Sequence, residues 1–272
     1  MAAIVKDTVG RFSNVVSDYV KYRPSYPPEV FELLRSEGVT TDHLVADIGA
    51  GTGIFTRMLV DQGFRVVAVE PNDEMRKAAE ASLAAELSSG RLTSLGGKSE
   101  ATGLADHAVD VIIAAQAFHW FSHDAAKVEF KRILKKKEDS GVKSQVFLIW
   151  NNFSSDAESG TELMRGYEDA LIEYCIDYLK VAHGWVSKKG SPVLPKFFAE
   201  GELKKAAYVA QNNQRFDLEG LKGRCLSSSY APKPDHPNYE PLMRRLEALF
   251  AQYNENGLVE FRYTTEVFYG TI

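Results

Sequence analysis

Cysteine is scarce in this chain: Cys175 and Cys225 are the only two in 272 residues. Two thiols do not make a disulfide framework in a chain this long, and neither stands at a metal-ligating spacing. The expectation is a reducing, cytoplasmic compartment and no metal site. Long apolar runs are lacking as well. No stretch approaches the roughly 18 apolar residues of a membrane span, and MAAIVKDTVGRF has no apolar core of a secretory signal. Excess positive charge is missing too. The 32 Lys and Arg are interspersed with 37 Asp and Glu, for a net charge of −5. A phosphate backbone would find no basic footprint, so neither nucleic acid nor membrane is an expected partner. There is no internal repeat and no low-complexity tract, and the charge run at 135–139 reads as a solvated helix end. What is left, 44% hydrophobic and 25% charged, suffices for a sizeable core in a single domain over 1–272.

The first half alternates strand and helix signals. Leu44–Ile48, Arg65–Val69, Leu92–Leu95, Val109–Ala115 and Gln145–Trp150 read as strands. Helical patterns lie between them at Ile54–Gln62, Asn72–Leu87 and Asp124–Lys136. Such alternation predicts an α/β fold with a parallel sheet covered on both faces. The second half changes character. A long amphipathic helix is expected over Glu158–Lys180, then a Gly/Pro-punctuated stretch over Gly184–Pro195. A strand over Ala206–Phe216, helices over Leu218–Leu226 and Tyr239–Tyr253, and an alternating terminal strand from Val259 complete the reading. Residues 154–200 are expected to form a helical lid inserted in the domain.

The most informative stretch is VADIGAGTG, Val45–Gly53. A buried strand ends at Asp47 and runs into a loop with Gly49, Gly51 and Gly53, and a helix follows. Glycines there permit a tight turn and close backbone approach to a ligand. The dinucleotide fingerprint would need glycine at position 54, where Ile54 stands. Asp47 also opposes a dinucleotide, because a carboxylate beside a pyrophosphate is repelled. S-adenosylmethionine carries an ammonium and a sulfonium instead, and a carboxylate at the strand end suits it. Its own carboxylate suits backbone N–H groups at a helix start. Glu70 closes the second strand, 21 residues after Gly49, where an acidic residue can accept from both ribose hydroxyls. The competing reading is that Asp47 and Glu70 only cap the next helices.

At these residues the chain resembles the class I S-adenosylmethionine-dependent methyltransferases. The likeness covers nearly the whole length. It looks nearest to the methyltransferase type 11 branch, which includes trans-aconitate methyltransferase-like proteins. It is carried by YVKYRPSYP at 19–27, VADIGAGTG, VVAVEPNDEM at Val66–Met75, GGKSEATGL at Gly96–Leu104 and AAQAFHWF at Ala114–Phe121. The resemblance implies a doubly wound, mostly parallel seven-stranded sheet in the order 3-2-1-4-5-7-6. It implies Asp47, Gly49, Ala50 and Gly51 at the methionine moiety, Glu70 and Pro71 at the ribose, and Asn72 and Met75 near the adenosine. Ser99 and Glu100 would line the adenine edge, and Gln116 the methionyl chain. Lys98 stands where relatives often carry an acidic or small polar residue. An ammonium only donates, so another group must accept from the adenine amino group.

The acceptor site should lie outside the carboxyl ends of the strands. Phe118 and Trp120 are candidates for its wall, with Tyr22, Tyr167, Ser229 and Tyr230 from segments able to fold over it. His119 is the candidate general base, because its ordinary pKa lies near neutrality. The bland alternative is a histidine bonded to backbone. Tyr19 and Arg23 would cap the cofactor's carboxylate, or pack as a surface helix. The expected activity is methylation of a small molecule, at a carboxylate or hydroxyl oxygen, by a monomer or homodimer. The alternatives are methylation of a protein side chain and a cofactor-binding homologue without catalysis.

Overall fold

The computed structural model describes residues 19, 21–136, 139, 141–143, 145–153, 161–181, 186, 191–209 and 211–272. Five short apolar runs form strands: β1 (Leu44–Ile48), β2 (Arg65–Val69), β3 (Leu92–Leu95), β4 (Val111–Ala115) and β5 (Val146–Phe153). They pair in parallel, with Val45 opposite Val66 and Val111. β6 (Lys204–Val209) and β9 (Tyr263–Gly270) complete the sheet, β9 running antiparallel between β5 and β6. The order β3-β2-β1-β4-β5-β9-β6 is the expected seven-stranded arrangement, β9 being the seventh strand of this sheet along the chain.

Both faces of the central strands are apolar, as strands covered on two sides require. Val45, Val111, Ile113, Phe147 and Ile149 point into one core, where α1 (Glu29–Ser36) and α2 (Ile54–Asp61) pack. Ala46, Ile48, Ile112, Leu148 and Trp150 point into the other. There α5 (His123–Ile133) brings Ala126, Phe130 and Ile133, and α8 (Val193–Phe197) brings Leu194 and Phe197. Each fully buried large apolar side chain contributes roughly 1.5–3 kcal/mol, so neither layer is dispensable. A third core lies apart. α6 (Glu162–Tyr174), α9 (Leu218–Leu226), α10 (Tyr239–Tyr253) and the ribbon β7 (Gln214–Phe216) with β8 (Val259–Phe261) bury Tyr167, Leu221, Leu246 and Phe261 together.

Several expected elements are divided. The Asn72–Leu87 helix is two, α3 (Asp73–Ser82) and α4 (Ala84–Ser88). Leu83 leaves helical geometry at φ −112° and is fully buried, so burying it interrupts the helix. The expected strand over Ala206–Phe216 is β6 and β7, which belong to different sheets, with the polar pair Asn212 and Asn213 between them. The terminal strand divides likewise at Arg262 into β8 and β9. Period-two alternation continues from β8 through Arg262 into β9, so it cannot signal that change of sheet, whereas the polar run at 211–215 marks the one between β6 and β7. The described part of the Glu158–Lys180 helix is α6 and α7 (Tyr178–Val181), parted near Asp177, which has a positive φ of 56°. Of the expected 154–200 segment, residues 154–160, 182–185 and 187–190 lie outside the described residues.

Candidate cofactor and acceptor site

β1 through β5 run parallel, so they deliver their carboxyl ends to one edge. The strand order reverses between β1 and β4, which opens a crevice there. At that point the chain leaves β1 through Gly49 (φ +74°), Gly51 (φ +58°) and Gly53 (φ +82°) before α2 begins. All three lie in the left-handed region that disfavours side chains. Their surroundings differ. A Cβ on Gly49 would stand 2.5 Å from Ala117 Cβ, whereas one on Gly51 would meet only Met75 Sδ at 3.9 Å. Gly49 is therefore a packing requirement, and Gly51 borders open space. The N–H groups of Gly49 and Ala50 donate to the Val69 carbonyl at 2.8 and 3.2 Å, which stitches the loop to β2.

Asp47 is 1% exposed. Its Oδ2 accepts from Thr56 Oγ1 at 2.6 Å, while its Oδ1 has no partner among the described residues. Burial pushes its pKa up to about 7; the Thr56 bond opposes the rise and the nearby Glu70 charge adds to it. Thr52 Oγ1 is buried and has no partner among the described residues either. Glu70 is also raised by burial, against the N–H groups it holds. Its Oε1 accepts from Asn72 N and its Oε2 from Gly51 N, both at 2.8 Å. Pro71 is half-buried between them. Asn72 caps α3 by accepting from Met75 N at 3.0 Å, and Met75 is buried near Gly51. Ser99 is buried and donates to Glu100 Oε2 at 2.9 Å, while Lys98 is exposed and pairs through its backbone with Ala101.

At the end of β4, Gln116 has a φ of +59°. Such a conformation costs a non-glycine residue about 1–3 kcal/mol and collects at functional sites. Its Nε2 donates to the Asn151 carbonyl at 3.0 Å and its N–H to the Ile149 carbonyl at 2.8 Å, which hold the strained backbone. The next turn, Phe118–Trp120, separates the aromatic candidates. Phe118 is fully buried, with its ring 4.6 Å from Phe197 and 6.2 Å from Trp150; it belongs to the core. His119 Nδ1 accepts from Trp150 Nε1 at 3.4 Å. Trp120 is half-buried, its ring 5.1 Å from that of His119.

The N-terminal segment is tied across this edge. Asn151 Nδ2 donates to the Ser25 carbonyl at 2.9 Å, and Thr265 Oγ1 donates to Asn151 Oδ1 at 2.6 Å. Tyr26 is buried edge-on against Phe55, and its hydroxyl lies in the electrostatic field of Tyr19, Asp47 and Arg23. The Arg23 guanidinium sits 4.8 Å from the Tyr19 ring centre, and its Nη2 donates to the Ser227 carbonyl at 3.0 Å and to Ser228 Oγ at 3.1 Å. Its Nε is buried with no partner among the described residues. Tyr22 lies flat on Gly223, where a Cβ would stand 2.1 Å from its ring. Ser229 and Tyr230 are half-buried, and the Tyr230 carbonyl accepts from Ile176 N at 2.8 Å. Tyr167 is 1% exposed, edge-on to Phe261 at 4.7 Å, inside the third core. Asp47, the glycines, Glu70, Asn72 and Met75 are thus brought together, while Phe118 and Tyr167 face packed interior.

Three residues that sequence reasoning missed, Thr52, Thr56 and Asn151, stand in the same region, and a fourth, Arg224, is buried against Tyr263 of the third core. Thr52 and Thr56 carried a signal, two hydroxyls four apart, one inside the glycine loop and one in the first turn of α2. Asn151 and Arg224 carried none, because their partners are remote in sequence. Among the described residues no group of three His, Cys, Asp or Glu could hold a metal ion, and no helix is long and apolar enough to cross a membrane.

Residues 46–137 match the methyltransferase domain family. An uncharacterized methyltransferase of Mycobacterium tuberculosis is 36% identical over 140 residues, 52% of this chain and 51% of that protein. The chain therefore spans about half the length of the mycobacterial relatives it matches. An uncharacterized methyltransferase of Schizosaccharomyces pombe is 31% identical over 219 residues, covering 78% of this chain and 76% of its own length. A solved chain assigned as a methyltransferase from an antibiotic biosynthesis pathway of Anabaena variabilis has the same fold, with a TM-score of 0.60 at 19% identity. That likeness covers 92% of this chain and 99% of the other. With the glycine loop, the strand-end acids and the sheet order in place, the chain belongs to the class I S-adenosylmethionine-dependent methyltransferases.

Proposed function

We propose that this protein transfers a methyl group from S-adenosylmethionine to an oxygen of a small-molecule acceptor, in the branch similar to trans-aconitate methyltransferase-like proteins. The observation that carries the reading is Asp47 Oδ1, a carboxylate oxygen buried with no partner among the described residues, beside a loop of left-handed glycines. A buried acid in that state calls for a cation, and a pyrophosphate would be repelled by it. The residues fit the cofactor in other respects. Gly51 borders open space, and Glu70 has lone pairs beyond those used by Gly51 and Asn72. Met75, Ser99 and Glu100 line the adenosine side in this reading, and Tyr19, Arg23 and Gln116 the methionyl side.

S-adenosylmethionine, when bound, supplies a methyl carbon activated by its sulfonium and leaves as a neutral thioether. The chain then needs no general acid; its residues align the acceptor and exclude water. Trp120, Tyr22, Ser229 and Tyr230 wall the acceptor in this reading, and α6 with α7 forms part of the 154–200 lid of a single domain. His119 accepts through Nδ1 from Trp150, so in that tautomer Nε2 carries the ring proton. Taking a proton through Nδ1 requires the ring to release Trp150, and an acceptor that arrives ionised removes the need. The protein acts in the cytoplasm as a monomer or homodimer, without nucleic acid or membrane as partner. Calorimetric titration with S-adenosylmethionine, S-adenosylhomocysteine and NAD tests the ligand, and labelled methyl transfer into a metabolite extract tests the acceptor class. Tight NAD binding with no response to S-adenosylmethionine would sink the reading.

A further inference from the structure

Asn151 is the last buried residue of β5, 4% exposed. Three of its polar groups serve three different elements. Its backbone carbonyl accepts from Gln116 Nε2 at 3.0 Å, at the end of β4. Its Oδ1 accepts from the hydroxyl of Thr265 in β9 at 2.6 Å, and its Nδ2 donates to the Ser25 carbonyl at 2.9 Å. Ser25 settles which way the amide points. A carbonyl only accepts, so the NH2 group must face it, and the amide oxygen is left to the Thr265 hydroxyl. Asn212 Nδ2 also donates to the Ser25 carbonyl, and Gln214 Nε2 donates to the Tyr22 carbonyl at 3.3 Å. Asn212 is half-buried, where water can replace a lost donor; Asn151 is buried, where a lost donor is harder to replace.

Residues 21–26 form a strap on the carboxyl edge of the sheet. Tyr26 packs edge-on against Phe55 of α2, the helix that follows β1 and the glycine loop, while Ser25 is tied to β5. β4 lies between β1 and β5 in the sheet, so these two successive residues bridge past the end of β4, where Gln116 stands with its φ of +59°. Asn151 is common to both parts: its main chain holds Gln116 and its side chain holds the strap. A site assembled from two segments needs their separation fixed, because a misplacement of about 1 Å can cost on the order of a hundredfold in rate. β5 is a rigid origin for such a fixture, paired on both sides, with Ile149 opposite Ala115 and Asn151 opposite Thr265. Stability alone gives little reason to bury an amide and a hydroxyl together here, since two apolar residues of the same shape can be nearly neutral in their place.

We propose that Asn151 is a positioning residue of the methyl-transfer site, which holds the N-terminal strap and Gln116 at a fixed separation around the methionyl side of the cofactor. The proposal rests on the methyl-transfer reading and adds to it the residue that keeps two parts of the site in register. The test compares two variants of the full chain. Asn151→Asp keeps the shape and the acceptor for Thr265 but sets an oxygen against the Ser25 carbonyl, so the strap loses its buried donor. Thr265→Val keeps that donor and removes the hydroxyl from the same buried pair, so it reports what a loss of stability does by itself. S-adenosylhomocysteine is titrated by calorimetry, and amide hydrogen exchange is followed in the peptide spanning 21–27 with and without that ligand. In the wild type the ligand should slow exchange of this peptide about tenfold. Asn151→Asp should bind S-adenosylhomocysteine about tenfold more weakly and, when saturated with it, show less than a threefold slowing. Thr265→Val should melt at a lower temperature yet keep affinity and slowing within threefold of the wild type. Asn151→Ala also lacks the donor; it should match Asn151→Asp in both readouts, and it carries the test where a buried carboxylate prevents folding. Equal losses of affinity in the Asn151 variants and Thr265→Val would make both residues structural and overturn the proposal. Asn151 variants that keep either the affinity or the slowing would overturn it too, as would a wild type whose strap peptide exchanges no more slowly with ligand bound. Failure of the wild type to bind S-adenosylmethionine or S-adenosylhomocysteine would overturn the methyl-transfer reading and the proposal with it.

Discussion

Replacing Asp47 by asparagine should raise stability and lower cofactor affinity at the same time. The carboxyl is buried and its pKa stands at about 7, against an ordinary value of 3.8. At roughly 1.4 kcal/mol per pH unit, holding the folded acid ionised costs about 4 kcal/mol. The sign follows from linkage. A folded pKa above the unfolded one favours the folded state fully below about pH 4, and that advantage disappears as pH rises to about 7. The amide is isosteric with the protonated acid and leaves the same atom unpaired, so the variant should match the wild type at pH 4. At pH 8 it should exceed it by up to about 4 kcal/mol, or roughly 8 °C in melting temperature for a chain of this size. Affinity should move the other way. Losing a charged partner for a ligand cation costs on the order of 1.5–3 kcal/mol, at least tenfold in Kd. In the wild type, binding a cation requires Asp47 to ionise, so affinity should rise about tenfold from pH 5.5 to 7, and the variant should lose that slope. Differential scanning calorimetry and titration calorimetry across pH 4–8 measure both. A variant less stable than the wild type at pH 8, or one that keeps both affinity and slope, would refute the argument.

Other substitutions probe separate parts of the site. Glu70→Ala removes the acceptor for the Gly51 and Asn72 N–H groups as well as the one proposed for the ribose; leaving buried donors unpaired costs about 1–3 kcal/mol each. Cofactor affinity should fall at least tenfold and the melting temperature should fall with it, while an unchanged affinity would make Glu70 a loop brace only. Gly49→Ala should fail to bind cofactor and should be destabilised, since its Cβ would stand 2.5 Å from Ala117 at φ +74°; the double variant Gly49→Ala with Ala117→Gly should recover part of the stability, as thermal melts would show. Trp150→Ala should cost about 3–5 kcal/mol in denaturant unfolding through the cavity it leaves at a fully buried site. Substitutions at Ser229 and Tyr230 should impair acceptor use and spare S-adenosylhomocysteine affinity, and steady-state kinetics beside calorimetry would separate the two effects.

The local physics of the chain fixes a great deal by itself. Runs such as RVVAV are apolar on both faces and fit only strands covered on two sides. The order of strands and helices then leaves little choice but a doubly wound sheet. Asp47, the left-handed glycines and Glu70 are legible because the turn that joins strand to helix is short, and every group in it is a near neighbour in sequence. Thr56 lies within the same reach, nine residues from its partner. Tertiary structure decided the rest. Phe118 and Tyr167 read as site walls because aromatic spacing looks the same whether a ring faces a ligand or a core; the folded chain buries both. β8 leaves the main sheet although its alternation runs unbroken into β9, because pairing partners, and not periodicity, assign a strand to a sheet. Arg23 meets Ser228 across 205 residues, and Arg224 meets Tyr263 across 39. Charge balance is a property of neighbours in space. The neighbours of the two arginines are therefore invisible in a sequence whose acids and bases are evenly mixed, and are decided only by the fold.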